Sequence, residues 1–253
     1  MRDLAEVADG VHVATSAVYT TTSTVLVAPD RSCLVVDPGV TAHEIESLSS
    51  SVRSRGWRPV AVWSTHGHWD HLLDGGLFTS LPRWSGGWPV DVETLTAERD
   101  QDEELARVLR ASPSDSPAPV LVTPPVRYPS ADGLLDWSGP PLRVVVHGAH
   151  APGSTALVVQ SADVLVAGDL LSDVEIPLLD LSADDPLGSY LAGLELLAGT
   201  ASLVIPGHGH VGSLAERLAA DLAYLSGSSV DDPRLHAPWL AAVHESQRHA
   251  LIA

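Results

Sequence analysis

The apolar positions of this 253-residue chain come in short bursts, and their spacing changes along it. Val11–Thr15, Ser23–Ala28 and Cys33–Asp37 are rich in β-branched residues, with Pro29-Asp30 and Pro38-Gly39 as punctuation, which predicts a meander of strands. Ala42–Arg55 shifts to helical spacing, with Thr41 as N-cap and Gly56 as terminator. Val60–Ser64 reads as a buried strand. Thr94–Ala111 predicts one charged helix, followed by Ser112–Pro119, a Pro/Ser-rich connection too short to separate domains.

The second half repeats the scheme without repeating the sequence. Arg143–His147, Ala156–Ser161 and Val164–Ala167 read as strands, and Pro186–Ala198 as a helix with Asp185 as N-cap and proline at its first position. Leu203–Ile205 is a strand leading into Pro206-Gly207-His208. Ser213-Leu-Ala-Glu216 has the capping-box pattern that opens a helix to about Leu225, and a last helix covers Pro238–Leu251. Strands then helices, twice over, predict an α+β chain in which two sheets pack face to face with helices outside. A single domain over residues 1–253 is the expected organisation.

Composition narrows the function. An apolar share of 45% suits a substantial core, and no run approaches the roughly 18 uncharged apolar residues of a membrane span. Met1–Gly10 carries Arg2, Asp3, Glu6 and Asp9 with no apolar stretch behind them, unlike a secretion signal, so a cytoplasmic location without membrane association is expected. The net charge of −18 repels phosphate backbones and argues against nucleic acid as a partner. All 14 basic residues are arginine, and neither lysine nor asparagine occurs, which removes Schiff-base chemistry and N-glycosylation. Cys33, the one cysteine, sits in an apolar run and reads as a buried structural thiol.

The chemistry concentrates in Thr65-His-Gly-His-Trp-Asp-His71, where three imidazoles and one carboxylate fall within six residues directly after an apolar strand. Imidazole nitrogen and carboxylate oxygen are ligands that zinc and similar metals prefer. A strand-end loop lets residues two or three apart converge on one point. Gly-x-Ser-x-Gly is absent, so a nucleophile elbow is not expected.

This spacing resembles the His-x-His-x-Asp-His signature of the metallo-β-lactamase superfamily. Val35-Val-Asp37-Pro-Gly39, Leu165-Val-Ala-Gly-Asp169 and Ile205-Pro-Gly-His208-Gly resemble further parts of its pattern, in order, so that the likeness runs from about residue 10 to 212. Gly168-Asp-Leu-Leu-Ser-Asp173 resembles bacterial metallohydrolases of that superfamily. The resemblance implies a four-layer αββα sandwich with two metals at one sheet edge. It implies His66 and His68 as ligands of the first metal, Asp70, His71 and His208 of the second, and Asp169 as a bridge. It also implies hydrolysis by a metal-activated water, which Asp70 would orient as the catalytic carboxylate. Zinc is expected, one or two ions per chain, with iron or manganese as alternatives.

One departure matters. The family presents a third histidine for the first metal in a Pro-Gly-His turn, and here the segment reads His147-Gly-Ala-His150-Ala-Pro-Gly-Ser154. Serine stands where that histidine belongs, and a neutral hydroxyl is a poor ligand. The first site is therefore expected to be impaired, with His147 and His150 both open as replacements.

For substrate, the family's nucleases suit a −18 chain badly, and the glyoxalase II branch needs C-terminal basic residues, of which Arg217, Arg234 and Arg248 are those present. Lactam-cleaving members often place lysine or asparagine at the site. A small acyl ester, thioester or lactone remains, making a thioesterase or lactonase the leading expectation. Phe78, Trp84, Trp88, Tyr128 and Trp137 are candidates for an apolar substrate wall. The alternative is a repurposed fold, a non-hydrolytic lyase or cyclase or a ligand-binding domain. A small-molecule substrate is the expected partner, and a homodimer is left open.

Overall fold

The protein is described by a computed structural model covering residues 3–88, 91–121, 126–127, 133–135, 137–227 and 232–251. One sheet contains, in spatial order, β1 (Ala5–Ala8), β2 (Val11–Thr15), β3 (Thr22–Val27), β4 (Ser32–Val36), β5 (Arg58–Trp63), β6 (Arg83–Ser85) and β7 (Val126–Arg127). The other contains β8 (Leu134–Leu135), β9 (Leu142–His147), β10 (Ser154–Val159), β11 (Val164–Gly168), β12 (Leu203–Pro206) and β13 (Gly212–Ser213), again in that spatial order. Pairing is antiparallel from β1 to β4 and parallel from β4 to β7. In the second sheet, among the described residues, only β11 and β12 run parallel. The helices are α1 (Ala42–Ser54), α2 (Val92–Gln101), α3 (Glu103–Ala111), α4 (Pro186–Leu197), α5 (Leu214–Leu225) and α6 (Pro238–Leu251).

Each central strand is apolar on both faces because each face is covered. In β4, Leu34 and Val36 enter the layer between the sheets, while Cys33 and Val35 face the side where α1, α2 and α3 pack. In β11, Val164 and Val166 meet the same middle layer, and Leu165 and Ala167 pack with residues of α4, α5 and α6. Three apolar layers thus separate four layers of secondary structure, the αββα sandwich expected from the sequence. Cys33 lies fully buried in one of them, where burial pushes its thiol up to about 12, as a structural rather than a reactive cysteine requires.

Local rules explain the elements. Thr41 and Glu44 close a reciprocal capping box on α1, and Gly56, at φ +68°, follows its end. Glu44 also accepts bonds from Ser16 Oγ (2.8 Å) and Ala17 N (2.9 Å), tying the helix to the loop before β3. The single helix predicted over Thr94–Ala111 is two helices. Asp102 breaks it with extended backbone (φ −69°, ψ +120°), caps Leu105 N with one carboxylate oxygen, and accepts the Tyr19 hydroxyl (2.9 Å) with the other. Among the described residues no helix is long and apolar enough to cross a membrane.

The sheets are stitched together at one edge. Thr155 at the start of β10 donates through its backbone N (2.8 Å) and its hydroxyl (2.9 Å) to the Thr65 carbonyl just beyond β5. Trp63 Nε1 donates to that same hydroxyl (3.0 Å). Opposite, Thr22 N donates to Gly207 O (2.7 Å) and Thr22 Oγ1 to Pro206 O (2.5 Å). These bonds hold together the strand ends that carry the histidines.

Candidate metal centre

His66, His68, Asp70 and His71 follow β5, His150 follows β9, Asp169 follows β11 and His208 follows β12. Their donor atoms meet in two groups. In the first, His68 Nδ1 lies 3.0 Å from both His66 Nε2 and His150 Nε2, and Asp169 Oδ2 lies 3.3 Å from His66 Nε2 and 3.5 Å from His150 Nε2. In the second, His71 Nε2 lies 3.4 Å from His208 Nε2 and 3.4 Å from Asp70 Oδ2, which is 3.3 Å from His208 Nε2. Asp169 joins them, with Oδ1 3.2 Å from His71 Nε2 and Oδ2 3.2 Å from His208 Nε2.

Backbone turns make this convergence feasible. Gly168 (φ +60°) turns β11 sharply enough to aim Asp169 inward, and a Cβ on Gly207 would collide with the Asp169 carboxylate. Asp37, at φ +46°, is held in a left-handed conformation beneath the centre.

Tautomers are set from outside. Asp37 Oδ2 lies 2.9 Å from His71 Nδ1 and takes the Thr65 hydroxyl proton (2.7 Å). Thr65 Oγ1, its one proton spent on Asp37, accepts from His66 Nδ1 (3.1 Å). His150 Nδ1 donates to the Leu178 carbonyl (2.9 Å), and His208 Nδ1 to the Tyr19 carbonyl (3.2 Å). With Nδ1 protonated, the Nε2 lone pairs of His66 and His150 point at one spot, and those of His71 and His208 at another.

This donor set fits divalent metal. Four ligands at 2.0–2.1 Å around a tetrahedral ion lie roughly 3.3–3.4 Å from one another, close to the spacing found here. Asp169 Oδ1 is buried without a hydrogen-bond partner, a costly position for a carboxylate oxygen unless a cation faces it.

Electrostatics divide the two groups. Burial, helped by the neighbouring His66 and His150, pulls His68 well below the usual imidazole range, and burial lowers His150 to about 4. Burial works the same way on His71 and His208, but Asp169, with Asp70 and Asp37 at His71 and Glu175 at His208, overrides it and holds both well above that range. Burial alone would raise Asp169 and Asp70, yet the surrounding imidazoles keep both well below the usual carboxylate range. Glu175, whose Oε1 is 3.9 Å from His208 Nδ1, is raised by burial to about 7.

The two replacements left open by the sequence now separate. His150 enters the first group. His147 lies behind it, with Nδ1 accepting from Ala149 N (3.4 Å) and a buried, unbonded Nε2. Ser154 is turned away, its hydroxyl donating to Ala151 O (2.8 Å). The first group therefore gathers three imidazoles and the Asp169 carboxylate it shares with the second, rather than the depleted set expected.

The Lactamase_B family model, described as the metallo-beta-lactamase superfamily, matches residues 18–208, about three-quarters of the chain. The chain belongs to the metallo-beta-lactamase superfamily. Membership places it among metal-binding enzymes of hydrolytic type. It is 26% identical over 182 residues to the probable metallo-hydrolase YqgX of Bacillus subtilis (strain 168), covering 71% of this chain and 81% of that one. Its fold is similar to the metallo-beta-lactamase family protein TTHA1429 from Thermus thermophilus (TM-score 0.63, 20% identity, 98% and 91% of the two chains covered). It is also similar to TTHA1623 in a di-iron-bound form (TM-score 0.56, 23% identity, 80% and 94% covered).

A cavity of about 1110 Å³ opens onto His68 and Asp70. Its aromatic wall is Tyr19, Trp69 and Trp239, and α2 and α3 supply a charged rim including Glu98, Glu103, Glu104 and Arg107. The aromatic wall expected from the sequence is corrected here. Phe78 is buried under the helices of the first sheet, and Trp84 and Trp137 pack against the layer between the sheets. Trp88 covers Gly67, where a Cβ would come within 2.8 Å of the indole, and Tyr128 falls outside the described residues. Tyr19 and Trp239 lie too far from the histidine motif in sequence to be found by proximity.

Proposed function

We propose that this superfamily member is a metal-dependent hydrolase of a small acyl ester, thioester or lactone, with His66, His68, His150, Asp70, His71, Asp169 and His208 as metal ligands. The observation that carries the reading is Asp169, whose two oxygens reach both donor groups at 3.2–3.5 Å. Divalent ions held by these residues, zinc by the imidazole-rich donor set, would supply a water of lowered pKa as nucleophile and a Lewis acid for the substrate carbonyl.

The chain's own residues do the rest. Asp70 lines the cavity, where it would orient the attacking water. Asp37 and Thr65 keep the imidazoles turned with Nε2 inward. Tyr19, Trp69 and Trp239 give the acyl portion an apolar surface. The candidate C-terminal arginines are engaged elsewhere, and carboxylates outnumber Arg107 and Arg110 in the cavity lining, which supports a substrate without a multiply anionic carrier. Arg234 is buried between Asp221 (2.5 Å) and Asp232 (2.8 Å), Arg217 pairs with Asp173 (3.1 Å) and Arg248 with Glu245 (3.0 Å).

The test is a panel of aryl esters, acyl thioesters and lactones assayed before chelation, after it, and after zinc or iron is returned. Turnover should vanish on chelation and return with metal. Equal turnover in the metal-stripped protein would refute the mechanism, and a panel that never turns over would refute the substrate class.

A further inference from the structure

We propose that a second pocket, of about 330 Å³ and lined by Tyr19, Trp239 and Glu175, binds a protonated amine, and that the substrate of the hydrolase carries this amine on an alkyl arm. The substrate's arm rests on the hydrolase reading, whereas the amine site rests on the pocket alone.

The pocket adjoins the cavity that opens onto His68 and Asp70. Tyr19, Glu104 and Trp239 line both spaces, so their common boundary is two rings and a carboxylate. An arm extending from a group held near the metal centre enters the pocket across that boundary. Beyond it, Val174, Ala237 and Leu240 make an apolar lining suited to methylene groups, interrupted by Thr20 and Glu175.

Glu175 selects the charge. It is 6% exposed, and among the described residues its carboxylate accepts no hydrogen bond. Its one ion-pair contact among them is His208 Nδ1 at 3.9 Å, beyond hydrogen-bond reach, and that nitrogen donates to the Tyr19 carbonyl (3.2 Å). A buried carboxylate without a donor is costly, and an apolar tail or a second carboxylate in the pocket would leave it in that state. A protonated amine brings both the opposite charge and the N–H groups that are missing.

The rings favour the same guest. Tyr19 and Trp239 meet at 67° with centroids 5.5 Å apart, and the face of either ring attracts an ammonium group. Tyr19 is held rigidly for this work. Its backbone is left-handed (φ +51°), as is that of Thr20 (φ +56°), and its hydroxyl donates to Asp102 (2.9 Å). The approach is negative too. Glu104 is spent on Arg107 (2.6 Å), but Glu98 and Glu103 line the larger cavity with no ion pair among the described residues, against Arg110 as the one unpaired guanidinium there. Such a field concentrates cations at the entrance.

The experiment titrates the metal-loaded protein by calorimetry with pentylammonium and with 1-pentanol, near-isosteres that differ in charge at pH 7. Pentylammonium should bind on the order of tenfold more tightly. Glu175→Gln should erase that preference without weakening 1-pentanol. Should Glu175→Gln fail to fold, Trp239→Leu gives a second reading at a partly exposed position, where losing a ring face should cost the amine severalfold and spare the alcohol. Turnover then tests the arm: phenyl 6-aminohexanoate should show a KM on the order of tenfold below that of phenyl heptanoate. Equal affinity for the two probes, or a preference that survives both substitutions, would overturn the amine site. Tighter pentylammonium binding with neither ester turned over would refute the hydrolase reading and leave the site standing. Turnover of phenyl heptanoate without any preference for pentylammonium would do the reverse, and equal KM values for the two esters would remove the amine from the substrate.

Discussion

The two halves of the metal centre are built from the same side chains and behave as opposites. Around His66, His68 and His150, imidazoles crowd one another with one carboxylate among them, and His68 and His150 resist protonation. Around His71 and His208, the carboxylates of Asp37, Asp70, Asp169 and Glu175 gather, and both imidazoles favour their protons. The carboxylates of the second group therefore favour positive charge on or beside its imidazoles, whereas the first group disfavours protonation of its own. Ligand identity alone would not reveal this contrast, because the surrounding carboxylates create it.

Asp169 is where the comparison breaks most severely, since it serves both halves. Asp169→Ala should weaken both ions and lower kcat/KM on the order of 10³-fold, matching the several kcal/mol that metal-ion stabilisation supplies. Paired metal titration and turnover measurements would check it. Loss of one ion with the other untouched would show that the carboxylate does not bridge.

Acid should separate the halves next. His147, buried behind the first group, has its pKa lowered to about 4 by burial and then by His150 and His66, against about 6.5 in an unfolded chain. Between those values the unfolded state binds the extra proton, so the stability this histidine contributes is complete above pH 6.5 and lost as pH falls toward 4. In metal-stripped protein that loss amounts to on the order of 3 kcal/mol. His147→Leu should flatten the decline in urea-unfolding stability between about pH 7 and 4.5, and an unchanged slope would count against the assignment.

The sequence showed unevenly which of these groups exist. His66 to His71 were legible because consecutive loop positions after an apolar strand can converge with no other information. The sandwich was legible because short apolar strand runs followed by helical patterns, twice over, leave few architectures. The choice of His150 over His147 was not, since both precede the same turn and only the direction of the chain after β9 decides between them. The break at Asp102 was hidden for a similar reason: its carboxylate is recruited by Tyr19, 83 positions away. Short strands such as β6, β7, β8 and β13 have two or three residues each and carry no periodicity to detect.

Asp37 sharpens the contrast more gently. It holds His71 directly and His66 through Thr65, so Asp37→Ala should cost the second site more than the first. A fall of about 10–100-fold in the affinity of one ion, with a smaller loss at the other, is the expected outcome of Zn(II) titration. Equal losses would mean that the route through Thr65 matters as much as the direct bond.

The smallest effect should come from the cavity wall, which touches neither half of the centre through a charge. Trp239 packs edge-on against Tyr19 with ring centroids 5.5 Å apart, and both line the cavity that opens onto His68 and Asp70. If its work is to give the acyl portion an apolar surface, it binds ground state and transition state alike. Trp239→Ala should then raise KM and leave kcat unchanged. An aromatic contact is worth about 0.5–1.5 kcal/mol beyond area burial, which corresponds to roughly a 2- to 13-fold rise in KM. Steady-state kinetics on acyl chains of increasing length give the sharper reading, since the penalty should grow with chain length. A drop in kcat at constant KM would instead mean that Trp239 acts through Tyr19, whose carbonyl orients His208, and so belongs to the second half of the centre after all.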